Sequence, residues 1–299
     1  MKRFLGFVKE TGQEWAADKA SLYAAVLSFY TLLALAPLLI IAVSIAGLVY
    51  GSGPARQSLL TQVHDKAGAQ AASALDTILT NAHRPGASAA GLVIGTLLLL
   101  LGASGAVSTL HTALNAMWGV QAAPVRGFLR KVAYAVRSRL FYSAVVAMIG
   151  VVLLGLLTVG ALWTWVAHKV GGSLPAAGVL LRIADFVVAL GLLTVLFALL
   201  FRFLSDAKPQ WSDLWLGSFV TAALFDIGRL LIGLYLSKST TTSSFGAAGS
   251  VVALMLWMYY SGMIVFFGVE STQVYARHRG RQLTAKDGAI MEPPVSRHD

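Results

Sequence analysis

The chain has 299 residues, of which 57% are hydrophobic and only 12% are charged. Soluble domains carry about 25% charged residues, so the composition excludes an ordinary soluble enzyme, a disordered chain and a coiled coil. The net charge is +10, and the absence of cysteine excludes a disulfide framework, a thiolate nucleophile and a cysteine metal site. The sequence therefore predicts an all-α membrane protein, a bundle of several transmembrane helices.

Residues 1–21 precede the first long apolar run and predict a separate short helix. Phe4, Phe7, Val8 and Trp15 fall on one helical face, and the charged residues fall elsewhere. A helix with this pattern lies along a membrane surface with its apolar face in the lipid. We therefore expect a cytoplasmic, interfacial amphipathic helix at the start of the chain.

Six apolar stretches are long enough to cross the hydrocarbon, which takes about 20 residues. They lie at about 22–50, 87–110, 140–167, 176–201, 214–236 and 247–271, within a transmembrane domain of residues 22–276. Between the first two spans, apolar residues recur at helical spacing over about 55–84 and predict an outer amphipathic helical cap. Residues 277–299 lack an apolar period and predict a disordered cytoplasmic tail.

The basic residues predict the orientation of these spans. Sixteen of the 23 Lys and Arg residues fall before the first span, after the second, after the fourth and in the tail. Five fall in the remaining connections. Because Lys and Arg collect on the cytoplasmic side of a membrane, both termini are predicted to be cytoplasmic, which agrees with an even number of spans.

Five ionisable residues fall inside the predicted spans, namely Arg182, Asp185, Asp226, Arg229 and Glu270. A charge in hydrocarbon is expensive and usually faces the bundle interior or a water-filled cavity. The first four form two pairs spaced i, i+3, which places an acid and a base on one helix face. Two interpretations stay open: a polar substrate pathway, or self-satisfied ion pairs that only orient their helices.

The fifth span carries a stripe of small and polar residues along one face: Ser218, Ala222, Asp226, Arg229, Gly233 and Ser237. Its other side is apolar, with Leu216, Val220, Leu224, Ile227, Leu231 and Leu234. The pattern predicts that one side faces lipid and the other faces protein or water.

The second span ends in a polar stripe of Ser104, Ser108, His111 and Asn115, spaced by four, three and four residues. These side chains would share one helix face. Both a vestibule lined by the stripe and hydrogen bonding between helices fit the spacing, and the sequence does not separate the two.

Three further positions suggest hinges or close packing. Pro37 leaves the Leu33 carbonyl without its helical donor and predicts a kink in the first span. Gly246 and Gly249 stand at the start of the sixth span, where small residues allow either tight packing or a gate.

Four segments together resemble the YihY/BrkB family of bacterial inner-membrane proteins, over about residues 5–280. The segments are 25–37 (AVLSFYTLLALAP), 113–119 (ALNAMWG), 203–208 (FLSDAK) and 245–250 (FGAAGS) with 256–261 (LWMYYS) and 268–270 (GVE). The resemblance implies an inner-membrane location, six spans and cytoplasmic termini. It implies no established activity, although an older label, ribonuclease BN, follows the family.

The residues argue against a nuclease. Phosphodiester hydrolysis normally needs metal-binding carboxylates or a pair of histidines that reach water, whereas the cytoplasmic acids and the six histidines are dispersed. We expect no enzymatic activity, no cofactor, no metal and no specific nucleic acid. Membrane lipids are the expected partners, and the oligomeric state stays open.

Two functions fit these expectations. One is a transporter or flippase-like protein that moves an anionic or amphiphilic substrate, such as an envelope lipid, along the polar stripes. The other is a non-transporting membrane scaffold or envelope-integrity factor.

Overall fold

The structure is a computed structural model. It describes residues 2–50, 57, 60–61, 76, 80, 89–122, 140, 144, 148, 151–152, 155–156, 158–160, 162–163, 178–238, 247–286 and 288–291.

The described residues form helices over nearly all of the predicted apolar runs. The helices with continuous bounds are α1 (Lys2–Ala17), α2 (Ala20–Tyr50), α3 (Ala89–Met117), α4 (Gly178–Leu204), α5 (Trp211–Lys238) and α6 (Ala247–His278). The described residues between 140 and 163, inside the third predicted span, are also helical. Helices α3 and α6 continue beyond the apolar runs that predicted them, because helical hydrogen bonding does not require apolar side chains.

Glycine terminates both of the extended helices. Gly119 follows α3 with a φ of 61°, and Gly280 follows α6 with a φ of 68°. After α6, the Arg281 amide donates to the Ala276 carbonyl at 3.0 Å and the Gly280 amide donates to the Arg277 carbonyl at 2.9 Å. This pair of bonds is the Schellman motif, which uses glycine because a Cβ is unfavourable in the left-handed conformation.

Three stretches of described helix are long and apolar enough to cross a membrane: Ile183–Leu204, Trp211–Leu231 and Leu254–His278. They belong to α4, α5 and α6. Helix α2 contributes a shorter apolar stretch, Ala20–Leu35.

The chain divides into two compact units. The first comprises Met1–Tyr23, Val107–Ile227 and Met263–Asp299, and the second comprises Ala24–Ala106 and Gly228–Gly262. In the second unit, α2 packs closely on α3, because a Cβ on Gly102 would lie 2.6 Å from the Ala34 amide nitrogen. Helices α2 and α6 also approach closely, since a Cβ on Gly262 would lie 3.1 Å from the Ala24 Cβ.

The core of the first unit is built from large apolar side chains of four helices. Leu114 from α3, Phe201 from α4, Leu214 from α5 and Phe266 from α6 are almost completely buried. Trp118, one residue after α3, is also buried, and its indole Nε1 donates to the Val269 carbonyl at 3.2 Å. That bond satisfies the one polar atom of the ring, so the indole is buried without an unpaired donor.

Helices α5 and α6 cross at two glycines. A Cβ on Gly217 would overlap Thr272 Oγ1 and the Gly268 carbonyl oxygen, and a Cβ on Gly268 would overlap Thr221 Oγ1. The threonine hydroxyls are satisfied within their own helices, because Thr221 donates to the Gly217 carbonyl at 2.8 Å and Thr272 donates to the Gly268 carbonyl at 3.0 Å. The crossing leaves no room for a side chain at either glycine.

A short antiparallel strand pair departs from the all-α expectation. Strand β1 (Val120–Ala122) pairs with β2 (Ala289–Met291). An isolated bridge joins Ala207 to Ala285. Three-residue strands are too short for alternating polarity to predict them, and the two partners lie far apart along the chain.

The start of the expected disordered tail is structured. Beyond the end of α6, residues 279–286 and 288–291 follow the connection between α4 and α5 and then form β2. The Lys208 amide donates to the Thr284 carbonyl at 2.7 Å, and the Lys286 amide donates to the Asp206 carbonyl at 2.6 Å. This segment was expected to be disordered because it lacks an apolar period. Backbone hydrogen bonds hold it in place instead. Residues 292–299 lie outside the described residues.

Helix α1 occupies most of the segment predicted to be an interfacial helix. Its Trp15 Nε1 donates to the Met263 carbonyl of α6 at 3.2 Å, while Leu5 and Val8 are exposed. In the predicted outer cap, the described residues 57, 60–61, 76 and 80 are helical. The remainder of that cap lies outside the described residues.

Replacing Gly217 or Gly268 with alanine is expected to lower the free energy of unfolding by about 1–3 kcal/mol, because the new methyl group forces α5 and α6 apart. Thermal unfolding in detergent, followed by tryptophan fluorescence, measures the change. Gly191→Ala is the matched control, since its Cβ would meet nothing within 4 Å and alanine favours a helix over glycine. Equal unfolding temperatures for Gly217→Ala and Gly191→Ala would contradict the close crossing.

Candidate functional site

The polar stripe of α5 is buried over its first half. Ser218 and Ala222 are 0% exposed and Asp226 is 7% exposed. Arg229, one turn further on, is exposed. The Ser218 hydroxyl has no hydrogen-bond partner among the described residues. These positions neighbour the Gly217–Thr221 face that contacts α6, so the buried half of the stripe belongs to a helix contact.

Of the apolar residues predicted to face lipid, Ile227 and Leu231 are exposed, whereas Leu216, Val220 and Leu224 are half-buried. The most exposed large apolar side chains in the described part of α5 are Trp215, Phe219, Ile227, Leu230 and Leu231, three of them outside the predicted set. The side that carries these residues is therefore the one suited to lipid.

Of the acid and base predicted in the fourth span, only Asp185 has a side chain among the described residues. Asp185 is exposed and accepts a hydrogen bond from Trp163 Nε1 at 2.6 Å. Arg182 lies within α4, and its side chain lies outside the described residues. The described contact thus ties Asp185 to the helical segment that precedes α4.

The polar stripe of α3 ends in a hydrogen-bonded network. Asn115 Nδ2 donates to Asp206 Oδ2 at 2.8 Å, and Asn115 Oδ1 accepts from Ser205 Oγ at 2.9 Å and from the Asp206 amide at 2.8 Å. His111 Nε2 lies 3.1 Å from Asp206 Oδ2. Asn115 is only 7% exposed, so His111 and Asn115 fasten the end of α3 to the connection between α4 and α5.

The two serines of this stripe are half-buried further along α3. Ser104 Oγ donates to the Leu101 carbonyl of its own helix at 3.4 Å. Ser108 stands between Ser104 and the network. The last two members of the stripe, His111 and Asn115, reach Asp206 on another segment.

Asp206 is the charged centre of the network. Its hydrogen bond with His111 lowers the pKa of Asp206, against the opposing effect of partial burial, and Asn115 and Lys286 act in the same direction as His111. Lys286 Nζ donates to the Ser205 carbonyl at 2.5 Å and the Arg202 carbonyl at 3.2 Å. Burial lowers the pKa of Lys286, although Asp206 attracts its charge.

A second acidic residue of this region is held by the segment after α6. Asp213, in the first turn of α5, is 1% exposed. Arg281 Nη1 donates to Asp213 Oδ1 at 2.9 Å and to Ser212 Oγ at 2.7 Å, and Arg279 Nη1 lies 4.0 Å from the same carboxylate. The basic residues of the expected tail therefore pair with the start of α5.

Glu270 lies in the contact between α6 and α1. It is 0% exposed. Nearby, Arg277 Nη2 donates to Glu10 Oε1 at 2.5 Å and to Glu14 Oε1 at 3.3 Å, and His278 Nε2 lies 2.7 Å from Glu10 Oε2. Partial burial raises the pKa of Glu10, but the bonds from Arg277 and His278 outweigh it, and the net shift is downward.

The positions predicted as hinges are only partly described. Pro37 lies within α2, which continues as a helix to Tyr50, and its side chain lies outside the described residues. Gly246 itself lies outside them, and Gly249 falls in the first turn of α6.

Sequence reasoning did not find Asp206, Lys286 or Asp213, because their partners lie on segments distant in the chain. The acidic residues of the first segment do show a pattern in the sequence. Glu10 and Glu14 are four residues apart, and Asp18 follows after four more, which places all three on one side of a helix. Among the described residues, no three or more His, Asp or Glu side chains are placed to hold a metal ion.

The sequence profile of the family described as Virulence factor BrkB matches residues 11–289. The chain belongs to this BrkB family. The match confirms the resemblance of the four segments, and it covers nearly the whole chain.

Curated relatives of this BrkB-family protein are membrane proteins. The chain is 28% identical to a UPF0761 membrane protein of Methylibium petroleiphilum over 89% of its own length and 61% of that protein's length. It is 26% identical to one of Albidiferax ferrireducens, over 90% and 63% respectively. The chain thus spans about three-fifths of the length of these relatives. No solved structure matches, and none of these names states a catalytic activity.

For this BrkB-family protein, Asn115→Ala is expected to lower the free energy of unfolding by about 2–3 kcal/mol, because it leaves the Ser205 hydroxyl and the Asp206 amide without their acceptor. Thermal unfolding in detergent measures the loss. The control, Ser104→Ala, removes a hydroxyl that bonds within its own helix and should have a clearly smaller effect. Similar losses in the two variants would contradict a special role for Asn115.

Asp206 also predicts a dependence on pH. Its lowered pKa means that its ionised form stabilises the folded chain above about pH 4, the ordinary range of an aspartate, and that this contribution is lost as the pH falls further. Unfolding temperatures measured between neutral and acidic pH should fall less steeply for Asp206→Asn than for the unchanged chain. Parallel curves for the two proteins would show that the carboxylate does not titrate in this way.

Proposed function

We propose that this BrkB-family protein is a transporter or flippase-like protein of the inner membrane. It has six spans, and both of its termini lie in the cytoplasm. The observation that carries the proposal is the burial of Asp226 and Glu270 within helices that are long and apolar enough to cross a membrane. Membrane lipids are its partners in this proposal, and it performs no enzymatic reaction.

The cost of the Asp226 carboxyl group supports a functional role. An ionisable side chain in the middle of a span costs at least about 2.5–3.5 kcal/mol of insertion free energy. Asp226 on α5 is also followed at i+3 by Arg229, which is exposed. A purely structural helix contact needs only small apolar side chains, such as the neighbouring Ala222, so the retained charges favour a pathway for a polar substrate or proton.

The proposed substrate is anionic or amphiphilic, with an envelope lipid as one such substrate. Basic residues dominate the segments assigned to the cytoplasmic side, and the connection of residues 123–139 carries five Lys and Arg residues and no acid. Such segments attract anionic headgroups. Exposed aromatic side chains, Trp211, Trp215 and Phe219, lie along the first turns of α5, where an amphiphile could contact both ring and charge.

A scaffold or envelope-integrity factor is the alternative, and the α5–α6 crossing favours it. Gly217 and Gly268 leave no space between the two helices, and Ser218 and Ala222 are fully buried. Under this alternative the stripe is permanently closed. Partners would then bind at loops or at α1, where Leu5 is 59% exposed.

Thiol labelling distinguishes the two functions, because the chain contains no cysteine. Single cysteines replace Ser218 and Ala222 on the stripe, and Phe219 and Ile227 on the exposed side serve as matched controls. A transporter must open the stripe to water during its cycle. We therefore expect a membrane-impermeant thiol reagent to label positions 218 and 222 in proteoliposomes, and to leave the lipid-facing controls unlabelled.

A cysteine at the exposed residue Gln282 verifies that the reagent reacts with the reconstituted protein. Labelling at position 282 without labelling at 218 and 222 would reject the transporter and support the scaffold.

A further inference from the structure

The contact between α1 and α6 brings several carboxyl groups together. Glu10 and Glu14 on α1 and Asp18 just after it are spaced by four residues. Their partners on α6 are Glu270, Arg277 and His278. The Glu10 carboxylate is paired with Arg277 and His278. No described basic residue is bonded to Glu270 in the same contact, so its burial needs another explanation.

Glu270 is a buried carboxyl group with an incomplete set of donors. Its side chain is 0% exposed, and Oε1 accepts no hydrogen bond from any described donor. With its amide oriented to suit both neighbours, Gln273 donates to Glu270 Oε2 at 3.1 Å and to the Met117 carbonyl at 2.5 Å. A buried carboxylate with one oxygen unsatisfied is strongly disfavoured.

The neighbour of this group is another carboxyl. Asp18 follows Glu14 by four residues on the side of α1 that bonds to α6. It acts on Glu270 as a neighbouring carboxyl group, and Glu14 adds a second negative charge from α1. Arg277, on α6 itself, is a positive charge that acts on Glu270, and it is also bonded to Glu10 and Glu14. Two carboxyl groups can hydrogen-bond to each other only when one of them carries a proton.

We propose that Glu270 and Asp18 share one proton and form a proton-binding site that holds α1 against α6. When this proton leaves to water, two negative charges face each other, Glu270 fully buried and Asp18 half-buried, and Glu14 adds to the repulsion. Helix α1 then separates from α6. This inference concerns the docking of α1 and does not depend on whether the protein transports a substrate.

Other contacts also hold α1 against the rest of the first unit. Trp15 Nε1 donates to the Met263 carbonyl at 3.2 Å, and the Phe7 ring meets the His278 ring edge-on at 6.1 Å between centroids. Glu10 pairs with Arg277 and His278 at an exposed site, where ion pairs contribute little. Repulsion between two carboxylates acts directly against these contacts.

The proposed site needs only two carboxyl groups. No three or more His, Asp or Glu side chains in the described part of the chain are arranged around a common point. A proton shared by two oxygens requires only the pair.

The distance between α1 and the end of α6 tests the proposal in the full chain. Spin labels are attached to Gln13→Cys and Gln282→Cys, which are exposed, uncharged positions in a chain without cysteine. Double electron–electron resonance in lipid nanodiscs then reports the distance between about pH 5.5 and about pH 8.5. We expect one short distance at low pH and a second, longer distance that grows as the pH rises.

The expected size of the effect follows from the release of one proton. Within the transition, the ratio of separated to docked chains should rise about tenfold per pH unit. Glu270→Gln and Asp18→Asn should each keep the short distance across the whole range, because an amide donates to the remaining carboxylate as a protonated carboxyl does.

Glu10→Gln is the matched control. It weakens the pairing with Arg277 and His278, so it should raise the separated fraction by a similar factor at each pH and leave the pH step in place. A wild-type distance that does not change with pH overturns the proposal, and so does a pH step that persists in Asp18→Asn. This second variant and the wild-type series decide the question even where Glu270→Gln fails to fold.

Discussion

Helices α5 and α6 meet backbone to backbone at Gly217 and Gly268, and the polar groups of the first unit are arranged around that contact. Glu270 follows Gly268 by two residues and is thereby carried to the side of α6 that meets α1. Asp213 precedes Gly217 by one turn, and Arg281 reaches it only because α6 ends in a tight glycine turn. Separating the two helices would displace both acidic groups from their partners. The positions of these charges therefore depend on glycine at 217 and 268.

Two layers of polar contact are built on this crossing. At the end of α3, Asn115 and His111 hold the connection between α4 and α5 through Asp206. From the other side, Lys286 donates to carbonyl groups of the same connection. A short turn between two apolar helices has many unsatisfied backbone groups, and these side chains supply their partners. The result is a polar end to the apolar helices of the first unit.

The helices could be predicted because their cause is local. A run of apolar residues as long as Ile183–Leu204 has few alternatives to a helix in a membrane. The ends of α3 and α6 could not be read from hydropathy, since they depend on capping by Gly119 and Gly280 rather than on apolar character. The pairing of β1 with β2 depends on the chain reversal after α6, so no local sequence pattern predicts it.

The candidate sites divide in the same way. Asp226 stood out because a carboxyl group in an apolar run is rare, and the four-residue spacing of Glu10, Glu14 and Asp18 was present in the sequence. The partners of Asp206 and Asp213 were not predictable, because each comes from a segment that only the fold brings near. A helical stripe such as that of Ser218 and Ala222 identifies the face turned away from lipid, but a neighbouring helix and a water-filled space impose the same pattern.

Strand β1 leaves the ribosome before α4, α5 and α6 have been made, and β2 follows only after α6 has ended. A pairing between such distant segments forms late, because closing a long loop is entropically unfavourable until other contacts have brought its ends together. During synthesis the strand Val120–Ala122 therefore stays unpaired until β2 has been made. The Asp206 carbonyl likewise lacks the Lys286 amide until then. Closure of this strand pair therefore reports that α6 has taken its place beside the connection between α4 and α5.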